Sequence, residues 1–264
     1  MLAALPFSYA RIKVRRMELS LPLVLIAALT FLLAGFVKGV IGLGLPTVSM
    51  GLLALVMTPA QAAALLVVPS LVTNVWQMTM GPSLAPLLRR LWSMMIGIGV
   101  GTWAGAGLLT GNNAAAATTG LGIALVLYAV SGLTALRIVV PPRMEFWLSP
   151  LVGAVTGFIT AATGVFVIPA VPYLQAIGLE KEELVQALGL SFTVSTLALA
   201  AILAAAGAFP TSIAGGSLLA LAPALAGMFA GQWLRVRAHP AIFRRWFFIG
   251  LLLLGIHLVL RTII

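Results

Sequence analysis

The chain contains no cysteine and no aspartate, and only 5 acidic residues stand against 15 lysines and arginines. Without thiols there is no disulfide framework, no thiolate metal centre and no cysteine nucleophile. All the acids are glutamates (Glu18, Glu145, Glu180, Glu182 and Glu183), and each lies near the end of an apolar run or in a connection. No acid–base pair or cluster of metal ligands therefore falls inside the hydrophobic segments. We assign no catalytic residue, no metal site and no cofactor. Charge of either sign is itself scarce: 8% of the 264 residues are charged and 62% are hydrophobic. A soluble domain carries roughly a quarter charged residues. Uncharged runs at 19–37, 94–136 and 191–234 exceed the roughly 20 residues that cross a hydrocarbon core. The composition excludes a water-soluble fold and predicts an integral membrane protein.

A net charge of +10 would suggest nucleic acid in a soluble protein. Here the basic residues fall in short clusters between apolar runs, at 11–16, Arg89–Arg90, Arg137 with Arg143, and 235–245. Such clusters hold loops at an anionic membrane face, so their partners are lipids and not nucleic acid. The N-terminus lacks the form of a cleavable signal, because its charges follow a short apolar stretch. No function is assigned to residues 1–16. A simple count with the N-terminus inside favours a cytoplasmic N-terminus, but it leaves the basic connection at 235–245 outside, against the positive-inside tendency.

Interruptions by charge, proline, glycine and asparagine mark eight hydrophobic blocks: 20–57, 60–80, 84–109, 113–137, 146–179, 182–207, 211–234 and 239–263. The first and fifth hold 38 and 34 residues, too many for one crossing and too few for two with a turn. Each is predicted to be a broken helix, the first at GVIGLGLP (39–46) and the fifth within GFITAATGVFVIP (157–169). A shift of 122 places Gly35–Phe36 on Gly157–Phe158, Gly42 on Gly164, and the linker 58–61 on 180–183. At a slightly larger shift Gly101 and Gly105 fall on Gly227 and Gly231. The expected fold is an all-α integral membrane protein of about eight helical blocks in two homologous four-block repeats. Its segments are 1–19 (basic N-terminal segment), 20–140 (first repeat) and 141–264 (second repeat). Matched broken helices in duplicated halves point to a transport site at the repeat interface, with the two breaks meeting at mid-depth. Close helix packing is the alternative use of the same glycines.

Lys38 stands inside the first long block, immediately before the glycine-rich break. An ammonium there marks a functional site by default, and no carboxylate is placed to pair with it. A transported anion would supply that charge; snorkelling to an interface is the structural alternative. Gly39, Gly42 and Gly44 would offer bare backbone N–H groups, a half-helix starting near Pro46 would point its positive end at the break, and Thr47 and Ser49 would add hydroxyls. No strand or acidic ribose partner accompanies the glycines, so a nucleotide-binding reading fails. In the second block Ser70, Thr73, Asn74 and Gln77 share one helical face. The second repeat offers Thr160, Thr163, Gly164, Thr193, Ser195 and Thr196, with Gln186 on the side of Thr193 and Thr196. These faces line a common path or make interhelical hydrogen bonds. His239 and His257 are weak candidates for proton transfer. The tryptophans, including Trp92, Trp147, Trp233 and Trp246, flank block ends as an interfacial belt.

GFVKGVIGLGLP, the linker TPAQAAAL, the span ending LVTN, GFITAATGVFVIP and the closing GMFAGQWLRVRAHPAIFRRWFFIGLLLLG together resemble the TauE/SafE family, the toluene-sulfonate uptake permeases, over nearly the whole chain. The resemblance implies a duplicated eight-block permease for sulfite, sulfonates or related sulfur and carboxylate anions. The chain departs from that family's run of three glycines after each break, having Gly42-Leu43-Gly44-Leu45-Pro46 and Gly164-Val165-Phe166-Val167. Phe166 then becomes an apolar wall suited to an anion with an organic tail. The expected function is a secondary permease for a small anion in a bacterial inner membrane. An accessory subunit of a larger assembly is the competing class, ahead of a membrane enzyme. Assembly into a homo-oligomer is compatible with the sequence and is not specified by it.

Overall fold

The structure, a computed structural model, describes residues 21–111, 114–134, 139–235, 237 and 240–263. The basic N-terminal segment 1–19, Arg137 and His239 lie outside the described residues. There are ten helices among the described residues: α1 (Leu21–Ile41), α2 (Leu45–Leu53), α3 (Pro59–Thr79), α4 (Leu84–Ala104), α5 (Ala114–Thr134), α6 (Pro142–Thr163), α7 (Ala170–Ala176), α8 (Lys181–Ala205), α9 (Thr211–Arg235) and α10 (Pro240–Ile263). Seven of them are long and apolar enough to cross a membrane. The chain is an all-α integral membrane protein. A bilayer core offers no water to backbone groups, so helices that satisfy their own N–H and C=O groups are the natural spanning unit here. The two long blocks are broken as expected, α1 from α2 at 42–44 and α6 from α7 at 164–169. The aligned linkers do the same local work in both halves. Thr58 with Gln61 and Glu180 with Glu183 each form a capping box, closing the N-termini of α3 and α8.

Glycine sets the tightest packing. Gly35 and Gly39 of α1 lie against the backbone of α9 at Ala224 and Met228, while Gly227 and Gly231 of α9 lie against Leu32 and Phe36. In the same way Gly153 and Gly157 of α6 meet α4 at Met94 and Ile98, and Gly97 and Gly101 of α4 meet α6 at Pro150 and Ala154. These are small-xxx-small contacts, which gain close van der Waals packing where lipid supplies no hydrophobic drive between helices. A Cβ on Gly35 would stand 2.1 Å from the Ala224 carbonyl oxygen, and one on Gly157 would stand 2.1 Å from that of Ile98.

The same contacts fix the direction of each helix. Within the pairs α1–α9 and α4–α6 the helices run parallel, because residue numbers rise together along both contacts. The pairs α3–α8 and α5–α10 are antiparallel: Ser70 meets Thr196 and Gln77 meets Val185, while Thr119 meets Thr262 and Gly132 meets Phe248. Lys38 beside Asn74 and Gly42 beside Gln77 make α1 and α3 parallel, so α2 must run back between them. Each long block is therefore a hairpin that enters and leaves on one side. Exchanging α1–α5 with α6–α10 maps these helix pairs onto one another.

This arrangement corrects two expectations. The breaks do not meet at mid-depth: Gly42 lies beside Gln77, whereas Gly164 lies against Met50 and Ala63. From Ala63 to Gln77 along α3 is roughly 20 Å at about 1.5 Å per residue. The reason is that α1 is already a 21-residue helix before its break, so the break forms the tip of a hairpin rather than the centre of a span. The hairpins also change the charge count. Apart from Lys38, every described lysine and arginine except Arg261 lies on the face holding the ends of α5, α7 and α9 and the starts of α4, α6, α8 and α10. Helix α1 starts on the opposite face, and among the described residues the basic connection at 235–245 shares one face with Arg89, Arg90, Arg143 and Lys181.

Gly157→Val should destabilise the protein by about 1–3 kcal/mol through overpacking. Gly250→Ala, where an added Cβ meets nothing within 4 Å, should be neutral or stabilising. Thermal unfolding of the two detergent-solubilised variants checks this, and equal midpoints would contradict the contact.

Candidate functional site

Lys38 belongs to the last turn of α1 and is 5% exposed. It is not snorkelling: its ammonium donates to Asn74 Oδ1 and, at 3.2 Å, to Thr73 Oγ1 of α3. These acceptors are neutral. The one ion pair among the described residues joins Arg90 to Glu145, at the basic face, so no described carboxylate neutralises Lys38. An ammonium has three N–H donors, and two are directed at α3. The third has no partner among the described residues.

The acceptors are themselves held in a network at the contact of α3 with α8. Asn74 donates through Nδ2 to Ser70 Oγ at 3.0 Å and to Thr196 Oγ1 at 3.4 Å, and Ser70 and Thr196 are 3.2 Å apart. Asn74 and Thr196 are 122 residues apart in the chain, the same spacing that aligns the two halves, so corresponding positions meet here. Thr73 Oγ1 turns back to the Pro69 carbonyl and Thr196 Oγ1 to that of Phe192, which fixes both hydroxyls. Fully connected buried networks of this kind hold their members in one geometry.

Gln77 closes the hairpin tip. Its Nε2 donates to the carbonyls of Gly42 and Val185 at 3.3 and 3.0 Å, tying the break to both α3 and α8. Its Oε1 is buried without a partner among the described residues, as are the hydroxyls of Ser49 on α2 and Ser195 on α8. Buried polar atoms are nearly always paired with protein or ordered water; Gln77 lies on α3 itself, Ser49 and Ser195 lie on helices packed against it, and Thr102, Tyr128, Thr156 and Ser191 are likewise unpaired among the described residues.

The glycines divide. Gly39 packs on α9 and serves the helix contact, not a cradle. Gly44, at φ 109°, is the N-cap of α2 and lies against Val37, so that N-terminus opens beside the turn carrying Lys38. Gly164, at φ 74°, caps α6 and abuts Met50. Gly42, at φ 77°, is the one of the four with open space about it. Thr47 donates to the Gly44 carbonyl, Thr160 to Thr156, Thr163 to Ile159 and Thr193 to Gly189. These bonds are within their own elements, and none reaches Lys38. Gln186 binds the carbonyls of Met78 and Gly81 and fastens the α3–α4 turn instead of lining a path. Phe166 is fully buried on Phe192, 5.2 Å between ring centres. His257 is exposed on the lipid side of α10, which removes it as an internal proton relay.

The family model described as Sulfite exporter TauE/SafE matches residues 27–258. The chain belongs to the TauE/SafE family. This is a family of membrane transporters. No curated protein and no solved structure matches the chain. What sequence reasoning missed in this TauE/SafE chain is the closure made by Gln77 on Gly42; the signal was the single glutamine ending the polar stripe of α3, aligned with the break. The GxxxG spacing of Gly35 with Gly39 was also available, and it indicates packing.

Asn74→Leu removes the main acceptor from a buried charge and should cost about 1.5–3 kcal/mol. Adding Lys38→Met should recover most of that loss. Unfolding of the single and double variants in detergent measures the coupling, and additive losses would contradict a direct bond.

Proposed function

We propose that this chain is a secondary permease for sulfite or an organosulfonate, and that the anion is neutralised by Lys38. The observation that carries the reading is the ammonium itself: buried, held by neutral acceptors and left with one donor free among the described residues. Moving a charged residue into the membrane interior is costly, at least about 2.5–3.5 kcal/mol. An anion beside it lowers that cost for both charges. The substrate-contacting set is Lys38 with Thr73, Asn74, Gln77 and Gly42, joined through Ser70 and Thr196 to the second half. Ser49 and Ser195 offer further hydroxyls.

In this reading the halves are an inverted duplication, and rocking of one against the other about the α3–α8 contact exposes Lys38 alternately to the two faces. The face rich in arginine is the cytoplasmic one by the positive-inside tendency, and the membrane is a bacterial inner membrane. The exposed Trp92, Trp147, Trp233 and Trp246 lie toward that face and anchor it at the headgroups.

In proteoliposomes containing the purified chain alone, Lys38→Met should weaken sulfite binding by roughly 10- to 150-fold, the worth of one charge-assisted hydrogen bond, while leaving a monodisperse fold. Lys38→Arg should not rescue it, because a planar guanidinium is bulkier than the ammonium the Thr73–Asn74 pair accepts. Counterflow by the isolated chain separates a permease from an accessory subunit, and unchanged affinity in folded Lys38→Met contradicts the assignment.

A further inference from the structure

A second feature converges on the hairpin tip from the basic face. A cavity of about 730 Å³ opens between α5, α7, α8, α9 and α10 and reaches Ile41, Gly42 and Leu43. Lys181, Arg235 and Arg244 line it, and no acidic residue does among the described residues. Glu182 and Glu183 lie nearby at the start of α8, outside the lining. None of the three bases has an ion-pair partner among the described residues. The Tyr128 hydroxyl, on a residue 1% exposed that also lines the cavity, is buried without a hydrogen-bond partner among the described residues. Much of the remaining wall is apolar, including Leu43, Val171 and Phe248.

We propose that this cavity is a loading site for an organosulfonate, distinct from Lys38 and separated from it by the Gln77–Gly42 closure. This rests on the permease reading above. The three bases meet the sulfonate, Tyr128 donates to one of its oxygens, and the apolar body lies on Phe248 and Leu43. Convergent donors in a largely apolar cavity of this size suit a ligand with a charged head and an organic tail. Sulfite has a head but no body to cover those walls. Release of Gly42 by Gln77 opens the way from the loading site toward the free donor of Lys38.

The test is equilibrium binding of labelled 4-toluenesulfonate to the full chain in nanodiscs of phosphatidylcholine alone. The parent should bind two per chain, and Lys38→Met and the triple variant Lys181→Gln/Arg235→Gln/Arg244→Gln should each bind one. Tyr128→Phe and the single exposed change Arg244→Gln test the same site without the folding risk of the triple variant, and each should weaken one of the two sites about tenfold. Loss of a site with Lys38→Met but not with any cavity variant overturns the loading site and leaves Lys38 standing. Loss with the cavity variants but not with Lys38→Met supports the loading site and removes the Lys38 reading. If phosphatidylglycerol added to the nanodiscs fills the cavity and expels the sulfonate, the cavity is an acidic-lipid site and the organosulfonate assignment fails.

Discussion

The ammonium of Lys38 is buried where no described carboxylate reaches it, and its surroundings are built to tolerate that. Two neutral acceptors on α3 take two of its donors; Asn74 is fixed by further bonds to Ser70 and Thr196, and Thr73 by its bond to the Pro69 carbonyl. A fully compensated ion pair at this depth would have no need of an incoming charge. A wholly unpaired ammonium would be too costly to keep. Partial compensation holds the charge at a level where a desolvated anion improves matters, which is the energetic condition for binding one inside a bilayer.

The glycine contacts decide where that ammonium can be. Gly35 and Gly39 bring α1 against α9 closely enough to admit no side chain, and this sets the face that α1 turns toward α3. Because the chain reverses at Gly42, α2 returns beside Val37 and its N-terminus lies next to the same turn. The hairpins have a second effect, on charge. Each long block begins and ends on one side, so the basic connections gather on a single face. The cavity that reaches Gly42 opens on that face.

Much of this was legible in the sequence. Composition set the class, and oversized blocks with glycine and proline located both breaks to within a few residues. The polar stripe of Ser70, Thr73, Asn74 and Gln77 marked the helix that meets Lys38, because a period of three and four residues is a helical face. Depth was not legible. The centre of a block is the centre of the membrane only for a helix that crosses once, and α1 runs 21 residues before Gly42. Gly39 was misread for a related reason: a glycine beside a lysine can serve the lysine or the neighbouring helix, and only the position of α9 decides. The meeting of Tyr128, Arg235 and Arg244 joins three helices distant in the chain, and no spacing within the sequence encodes it.

The central claim is that an anion takes the free donor of Lys38. Selenite keeps the shape and charge of sulfite and carries an anomalously scattering atom, so a crystal structure of the protein soaked with it reads the position directly. The account predicts a selenium peak beside Lys38, on the side away from Thr73, that places a selenite oxygen within hydrogen-bond reach of Nζ. A bound selenite elsewhere, with Lys38 still held by Thr73 and Asn74 alone, would contradict it.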